Sequence, residues 1–263
     1  MQSQNIFVHA ASHRLECQIH AAHQLNRPTL VFLHEGLGSV AMWRDFPACV
    51  AQATGCRTLV YSRYGYGQSE LLAAPHRSNY MHLEAQQALP ELLAALKIEN
   101  PVLIGHSDGA SIALIHAGSG HEPAGVIAMA PHCFVEEISV RSIEAAKHAA
   151  ENTDLLQKLA RYHQDAARTF WGWNDIWLHP DFRAWNIEAL LPAIRCPILA
   201  FQGVDDEYGT LAQVEAIRTQ AINSPDVDIL QLADCRHSSH RDQPVAVLRA
   251  ILDFLDALPT AKA

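Results

Sequence analysis

Ser107 stands in Gly105-His106-Ser107-Asp108-Gly109, directly after the apolar run Pro101-Val102-Leu103-Ile104 and before a helical stretch over 110–116. A serine hydroxyl is a weak nucleophile unless a base takes its proton, and the base needs an orienting carboxylate. Glycines two positions before and after the serine suit a very tight strand-to-helix turn. Such a turn lifts the hydroxyl above the sheet edge and aims the next backbone N–H at the same spot. The three fixed positions arise by chance in about one chain in ten of this length. The strand before and the helix after therefore carry the inference. Acid and base are expected just past later strands, because loops at the carboxyl ends of parallel strands converge. Asp205, Asp206 and Glu207 follow one apolar run, and His237 and His240 follow another.

These residues need a scaffold. Ile6-Phe7-Val8 and Leu15-Glu16-Cys17-Gln18-Ile19 read as two antiparallel strands, the second cleanly alternating. Continuous apolar runs at 29–33, 58–61, 125–129 and 197–201 read as strands buried on both faces, and 227–232 as the last strand. Helices are expected around 39–54, over 80–96 with a bend at Pro90, over 210–222 and over 245–257. Buried strands alternating with helices imply a mostly parallel α/β sheet covered on both faces. Between Pro131 and Cys196 lie 64 residues with helical patterning and no convincing strand, too many for a simple crossover. The expected division is a core of residues 1–131 and 196–263 with a helical insertion of 132–195.

Five motifs in order carry a resemblance. They are Leu33-His34-Glu35-Gly36-Leu37-Gly38-Ser39, Arg63-Tyr64-Gly65-Tyr66-Gly67-Gln68-Ser69, the Ser107 pentapeptide, Gly203-x-x-Asp206, and His237 with Gln243-Pro244 soon after. On these the chain resembles the α/β-hydrolase superfamily, serine-nucleophile branch, over essentially its whole length. The resemblance implies an α/β-hydrolase fold: an eight-stranded, mostly parallel sheet with helices on both faces and a helical cap. It maps the nucleophile to Ser107, the acid to Asp206 and the base to His237. It places the oxyanion hole at the backbone N–H groups of Gly36 and Asp108. The Gly203 spacing favours Asp206 over its acidic neighbours, and the distance to Pro244 favours His237 over His240. His106 is expected to pack under the turn, and Arg63 and Ser69 to stabilise their loop. Two residues depart from the usual pattern: Glu35, where Gly normally follows His, and Arg236, where Gly normally precedes the base. Glu35 either poises a carboxylate near the substrate or is a hydrogen-bonded loop residue.

Four of the five tryptophans, Trp171, Trp173, Trp177 and Trp185, lie within fifteen residues of the insertion. Either they glue the cap to the sheet, or some of them form an apolar pocket wall with Leu37 and Phe134. Trp173 and Trp177 are four apart and share a helix face, while Trp171 points elsewhere. No Arg or Lys stands out as a carboxylate or phosphate clamp. The expected activity is hydrolysis of a small to medium, neutral, partly hydrophobic carboxylic ester. Alternatives on the same residues are C–C hydrolysis of a vinylogous diketone and cofactor-free haloperoxidase-like, thioesterase or acyltransferase chemistry, with a ligand receptor as the remote one.

Composition bounds the rest. The chain has 263 residues, 49% of them apolar, enough for one sizeable core. Its net charge is −9 and its 19 basic residues form no stripe, which argues against nucleic acid and leaves a small-molecule substrate as the expected partner. Six cysteines without CxxC or regular spacing read as reduced thiols. The sixteen histidines show no ligand spacing with Cys or carboxylates, so neither a metal nor another cofactor is expected. The first residues lack a basic segment followed by a long apolar one, and no apolar stretch approaches 18 residues. A cytoplasmic, non-membrane protein is expected, with a disordered tail no longer than about the last five residues. Oligomeric state is left open.

Overall fold

A computed structural model describes residues 3–24 and 26–258; the expected tail lies outside the described residues. Eight strands form one sheet: β1 (Ser3–Ala10), β2 (His13–His20), β3 (Leu30–Leu33), β4 (Thr58–Tyr61), β5 (Val102–His106), β6 (Gly125–Met129), β7 (Ile198–Gly203) and β8 (Val227–Leu232). Their order is β1-β2-β4-β3-β5-β6-β7-β8. β1 and β2 pair antiparallel, as do β2 and β4; every pairing from β4 through β8 is parallel. The hairpin between β1 and β2 turns on Ala11 and Ser12, both with positive φ (49° and 66°), which matches the strand twist.

β3, β4, β5, β6 and β7 are buried at every position, as their unbroken apolar runs require. Alternate residues feed two cores. Val31, Leu33, Leu59, Leu103 and Val126 face one, and Leu30, Phe32, Val60, Ile104 and Ile127 face the other. The helices are α1 (Phe46–Thr54), α2 (Tyr80–Leu83), α3 (Leu89–Ala95), α4 (Asp108–Gly118), α5 (Glu137–Asn152), α6 (Leu155–Leu159), α7 (Ala166–Leu178), α8 (Ala212–Gln220), α9 (Ser239–Asp242) and α10 (Pro244–Ala257). α10 shows the rule plainly: Pro244 opens it, and Val247, Ile251, Phe254 and Leu255 make one buried stripe.

Two expected helices differ in detail. The stretch 39–54 is split into a 3₁₀ turn at Ala41–Trp43 and α1, because Arg44 adopts φ 56° between them and Pro47 opens the second piece. The stretch 80–96 is not simply bent at Pro90. It widens one turn earlier, where Glu84–Ala88 is a π-turn and the Leu89 N–H reaches back to the Glu84 carbonyl. Pro90 lacks an N–H and its ring crowds the carbonyl four residues before, so the chain takes up the slack upstream.

The segment between β6 and β7 holds α5, α6, α7 and two 3₁₀ turns. Its two ends are zipped together. Phe134 bridges Asn186, the Ile187 N–H donates to the Cys133 carbonyl at 2.7 Å, and Val135 N–H to that of Trp185 at 3.3 Å. The segment is pinned onto the loops after β3 and β4. His163 accepts from the Gly67 N–H through Nδ1 and donates from Nε2 to the Leu37 carbonyl. The Thr169 hydroxyl donates to the Gly65 carbonyl at 2.8 Å.

Candidate active site

Ser107 follows β5 with φ 53° and ψ −120°, a backbone conformation that a residue with a Cβ adopts only under strain. The turn is crowded enough to need its glycines. A Cβ on Gly105 would lie 2.3 Å from the Gly109 carbonyl oxygen, and one on Gly109 would lie 2.0 Å from that of Leu33. The Ser107 N–H is held by the Met129 carbonyl at 2.9 Å, and its own carbonyl accepts the first bonds of α4. Ser107 Oγ makes no hydrogen bond to His237 among the described residues. Asp108 is the first residue of α4, so its N–H is one of the donors a helix start leaves free, at the positive end of the helix dipole.

The loop after β7 carries Asp206, the expected acid, and the loop after β8 carries His237, the expected base. His237 Nδ1 lies 2.9 Å from both carboxylate oxygens of Asp206. Asp206 is 7% exposed and well supplied with donors. It accepts from the Tyr208 N–H at 2.7 Å, the Gly209 N–H at 3.2 Å and the Gln202 amide at 2.6 Å. Burial pulls its pKa up, but the bond and charge of His237 and the Tyr208 N–H outweigh that, and the carboxyl sits below its usual range. The rivals are placed differently: Asp205 is exposed, Glu207 pairs with Arg236 at 3.2 Å and accepts from the main-chain N–H of His237 and not from its ring, and His240 is buried against Trp43 and Phe46. His106 lies under the turn, as expected, and its Nε2 donates to the main-chain carbonyl of His237 at 2.9 Å. Three further neighbours carry no motif. Gln202 and Tyr208 orient Asp206, and the buried His132 ring lies 5.9 Å from that of His237. Only Gln202, a polar residue closing an apolar strand, left a trace in the sequence.

The loop after β3 closes a turn, with the Gly38 N–H on the Glu35 carbonyl at 3.0 Å. The central N–H of such a turn, that of Gly36, is left without an acceptor among the described residues. His34 and Arg63 hold the turn from below. The Arg63 N–H donates to His34 Nε2, so Nδ1 carries the ring proton and gives it to the Glu35 carbonyl at 2.7 Å. The Arg63 guanidinium binds the carbonyls of His34 and Glu35. Full burial keeps His34 neutral, its pKa well below the usual value. Glu35 folds back toward Gly38 and His106, with Oε2 3.6 Å from His106 Nδ1. Burial opposes its charge, but His106 more than compensates and holds the carboxyl far below its usual range. Asp108 points away under α4. It accepts from the Tyr80 hydroxyl at 2.6 Å and stands 3.7 Å from Arg63, and burial raises its pKa.

The residues expected to line a pocket separate into kinds. Trp177 is fully buried and its indole N–H donates to the Tyr80 hydroxyl at 3.1 Å. Trp171 is half-buried and meets only the edge of Phe170 at 5.0 Å among the aromatic rings. Trp173 lies against Gly36. Leu37 is half-buried and held through its carbonyl by His163, and half-buried Phe134 sits at the zipped stem, its carbonyl accepting from Gln213. No group of three or more His, Cys, Asp or Glu placed to hold a metal ion occurs among the described residues, and no described helix is long and apolar enough to cross a membrane.

The family model of the Alpha/beta hydrolase family matches residues 30–250, and the chain belongs to that family. It is similar to the proline iminopeptidase of Levilactobacillus brevis, at 24% identity over 87% of this chain and 88% of that one. Among solved structures it is similar to the enol-lactonase of Burkholderia xenovorans, with 19% identity, a TM-score of 0.73, and coverage of 95% of this chain and 100% of that one. It is also similar to the carboxylesterase CesB of Bacillus subtilis, with 18% identity, a TM-score of 0.66, and coverage of 97% and 92%. These structural likenesses speak for the fold.

Proposed function

We propose that the protein is a serine hydrolase cleaving a small to medium, partly hydrophobic carboxylic ester through an acyl-enzyme. The observation that carries the reading is the Asp206–His237 contact at the ends of β7 and β8, with a serine strained into a left-handed backbone just past β5 and its neighbour His106 bonded to the His237 carbonyl. Asp206 fixes the His237 tautomer with its proton on Nδ1, leaving Nε2 as the base. Nε2 takes the Ser107 proton as the oxygen attacks the carbonyl, the two closing to hydrogen-bond distance once substrate is bound. The oxyanion is received by the N–H groups of Gly36 and Asp108, neither occupied otherwise. His237 then protonates the leaving alcohol and activates the water that frees the acid.

The segment 132–195 acts as the cap, with Leu37, Phe134, Trp171 and Trp173 toward the substrate. Its apolar character favours a neutral acyl group. No metal or organic cofactor enters this mechanism. Six free cysteines, five of them buried, fit a reducing cytoplasm.

A fluorophosphonate should label Ser107, and p-nitrophenyl esters of rising acyl length should be turned over with no effect of EDTA. Running a proline p-nitroanilide and a vinylogous diketone beside them discriminates amide and C–C cleavage. Faster turnover of either than of every ester would replace the ester reading; loss of activity with EDTA, restored by a divalent metal, would overturn the metal-free mechanism.

A further inference from the structure

Gly36 has no positive φ, so nothing in its backbone conformation demands glycine; space does. A Cβ there would lie 2.0 Å from Trp173 Nε1, 2.5 Å from Cδ1 and 2.8 Å from Cε2. All three atoms belong to the pyrrole edge of the indole, and the nitrogen is the nearest. The side chain of α7 thus packs the nitrogen end of its pyrrole ring directly on the α-carbon of the turn that supplies the Gly36 N–H.

An indole N–H is a donor only, and buried indoles normally find an acceptor. Two other tryptophans of the segment make the comparison, Trp171 being half-buried. Trp177 donates to Tyr80, and the nitrogen of Trp185 is sealed in the protein. Trp173, only 6% exposed, has no acceptor among the described residues and is not sealed. Its nitrogen therefore stands at the Gly36 turn, whose own N–H has no acceptor among the described residues, and the Asp108 N–H at the start of α4 is a third donor without one there. Donors left free in this way suit an oxygen that gains charge.

Resting on the serine-hydrolase reading above, we infer that Trp173 is a catalytic residue, whose indole N–H is a third donor to the oxyanion formed on the substrate carbonyl. The segment between β6 and β7 then contributes to the chemistry itself, and only substrates that leave it seated on Gly36 receive all three hydrogen bonds.

The decisive probe keeps the shape and removes the proton. Replacing Trp173 by 3-benzothienylalanine swaps N–H for sulfur; Trp173→Phe removes the same donor with natural residues. Both are assayed on the best p-nitrophenyl ester, with active sites titrated by a fluorophosphonate at Ser107 and melting temperature measured. The expected result is a fall in kcat of about 100- to 1000-fold, the range for loss of one oxyanion donor. KM should stay within about twofold, and the benzothienyl protein should melt at the wild-type temperature. A kcat within twofold of wild type at titratable Ser107 overturns the proposal alone. A rise in KM with kcat unchanged also overturns it, since the N–H would then bind only the ground state. A Ser107 that resists titration in the wild type overturns the hydrolase reading and this inference with it.

Discussion

At Ser107 strain and chemistry can be measured separately. Its φ of 53° with ψ −120° suits glycine and costs about 1–3 kcal/mol for a residue with a Cβ. Ser107→Gly and Ser107→Ala should both lose several powers of ten in kcat. Chemical denaturation should show the Gly variant more stable than the Ala variant by about 1 kcal/mol. Equal stabilities would mean the turn is unstrained. In the loop after β7, Asp206→Asn should cost far more activity than Asp205→Asn, because Asp206 and not Asp205 reaches the His237 ring; the reverse order would refute the acid assignment. The positions of these groups were legible because each is bound to local spacing: Gly-x-Ser-x-Gly, Gly-x-x-Asp, and a histidine a short loop past a strand. Tyr80 and His132 were not legible. Their roles depend on meeting Asp108 and His237 from distant parts of the chain, and nothing in their own neighbourhoods encodes that.

Helix α7 is where one element serves two ends. The four-residue spacing of Trp173 and Trp177 foretold buried neighbours on one face, and both are buried. It could not foretell that one would meet the Gly36 turn and the other the Tyr80–Asp108 pair, because helical periodicity gives a direction and not a partner. Trp177→Ala should cost about 3–5 kcal/mol as a core truncation. Trp171→Ala, on a half-buried ring, should cost little stability and shift acyl-chain preference instead. Melting curves and relative rates across the ester series separate the two. If Trp171→Ala leaves chain-length preference unchanged, that ring is no part of the pocket wall. The sheet was read nearly strand for strand from its unbroken apolar runs. The split of 39–54 and the π-turn before Pro90 were missed, since both are local compromises between a proline and the helix around it.

On the scale of the whole molecule, buried neutral histidines make the protein acid-sensitive. Burial, the largest cause at each, drives His132 down to about 3, His76 and His116 to about 4, and His34 and His240 well below their usual value. Unfolded, each would take up a proton below about 6.5. Their neutral burial therefore costs nothing above that pH, and stability is lost as pH falls from about 6.5 toward 4. Each contributes a slope of about 1.4 kcal/mol per pH unit where only the unfolded state is protonated. Urea midpoints should fall steeply between pH 6.5 and 5, and a flat profile would contradict these burials. The zipped stem of the β6–β7 segment has another consequence, evolutionary in kind. Cys133–Val135 and Trp185–Ile187 lie side by side like a closed doorway, so the segment enters and leaves the sheet at one point. Any replacement whose ends meet about 5 Å apart, the spacing of an antiparallel pair, could be grafted there without disturbing the register of a single strand. Lineages could thus exchange this segment wholesale while inheriting the sheet and its loops unchanged.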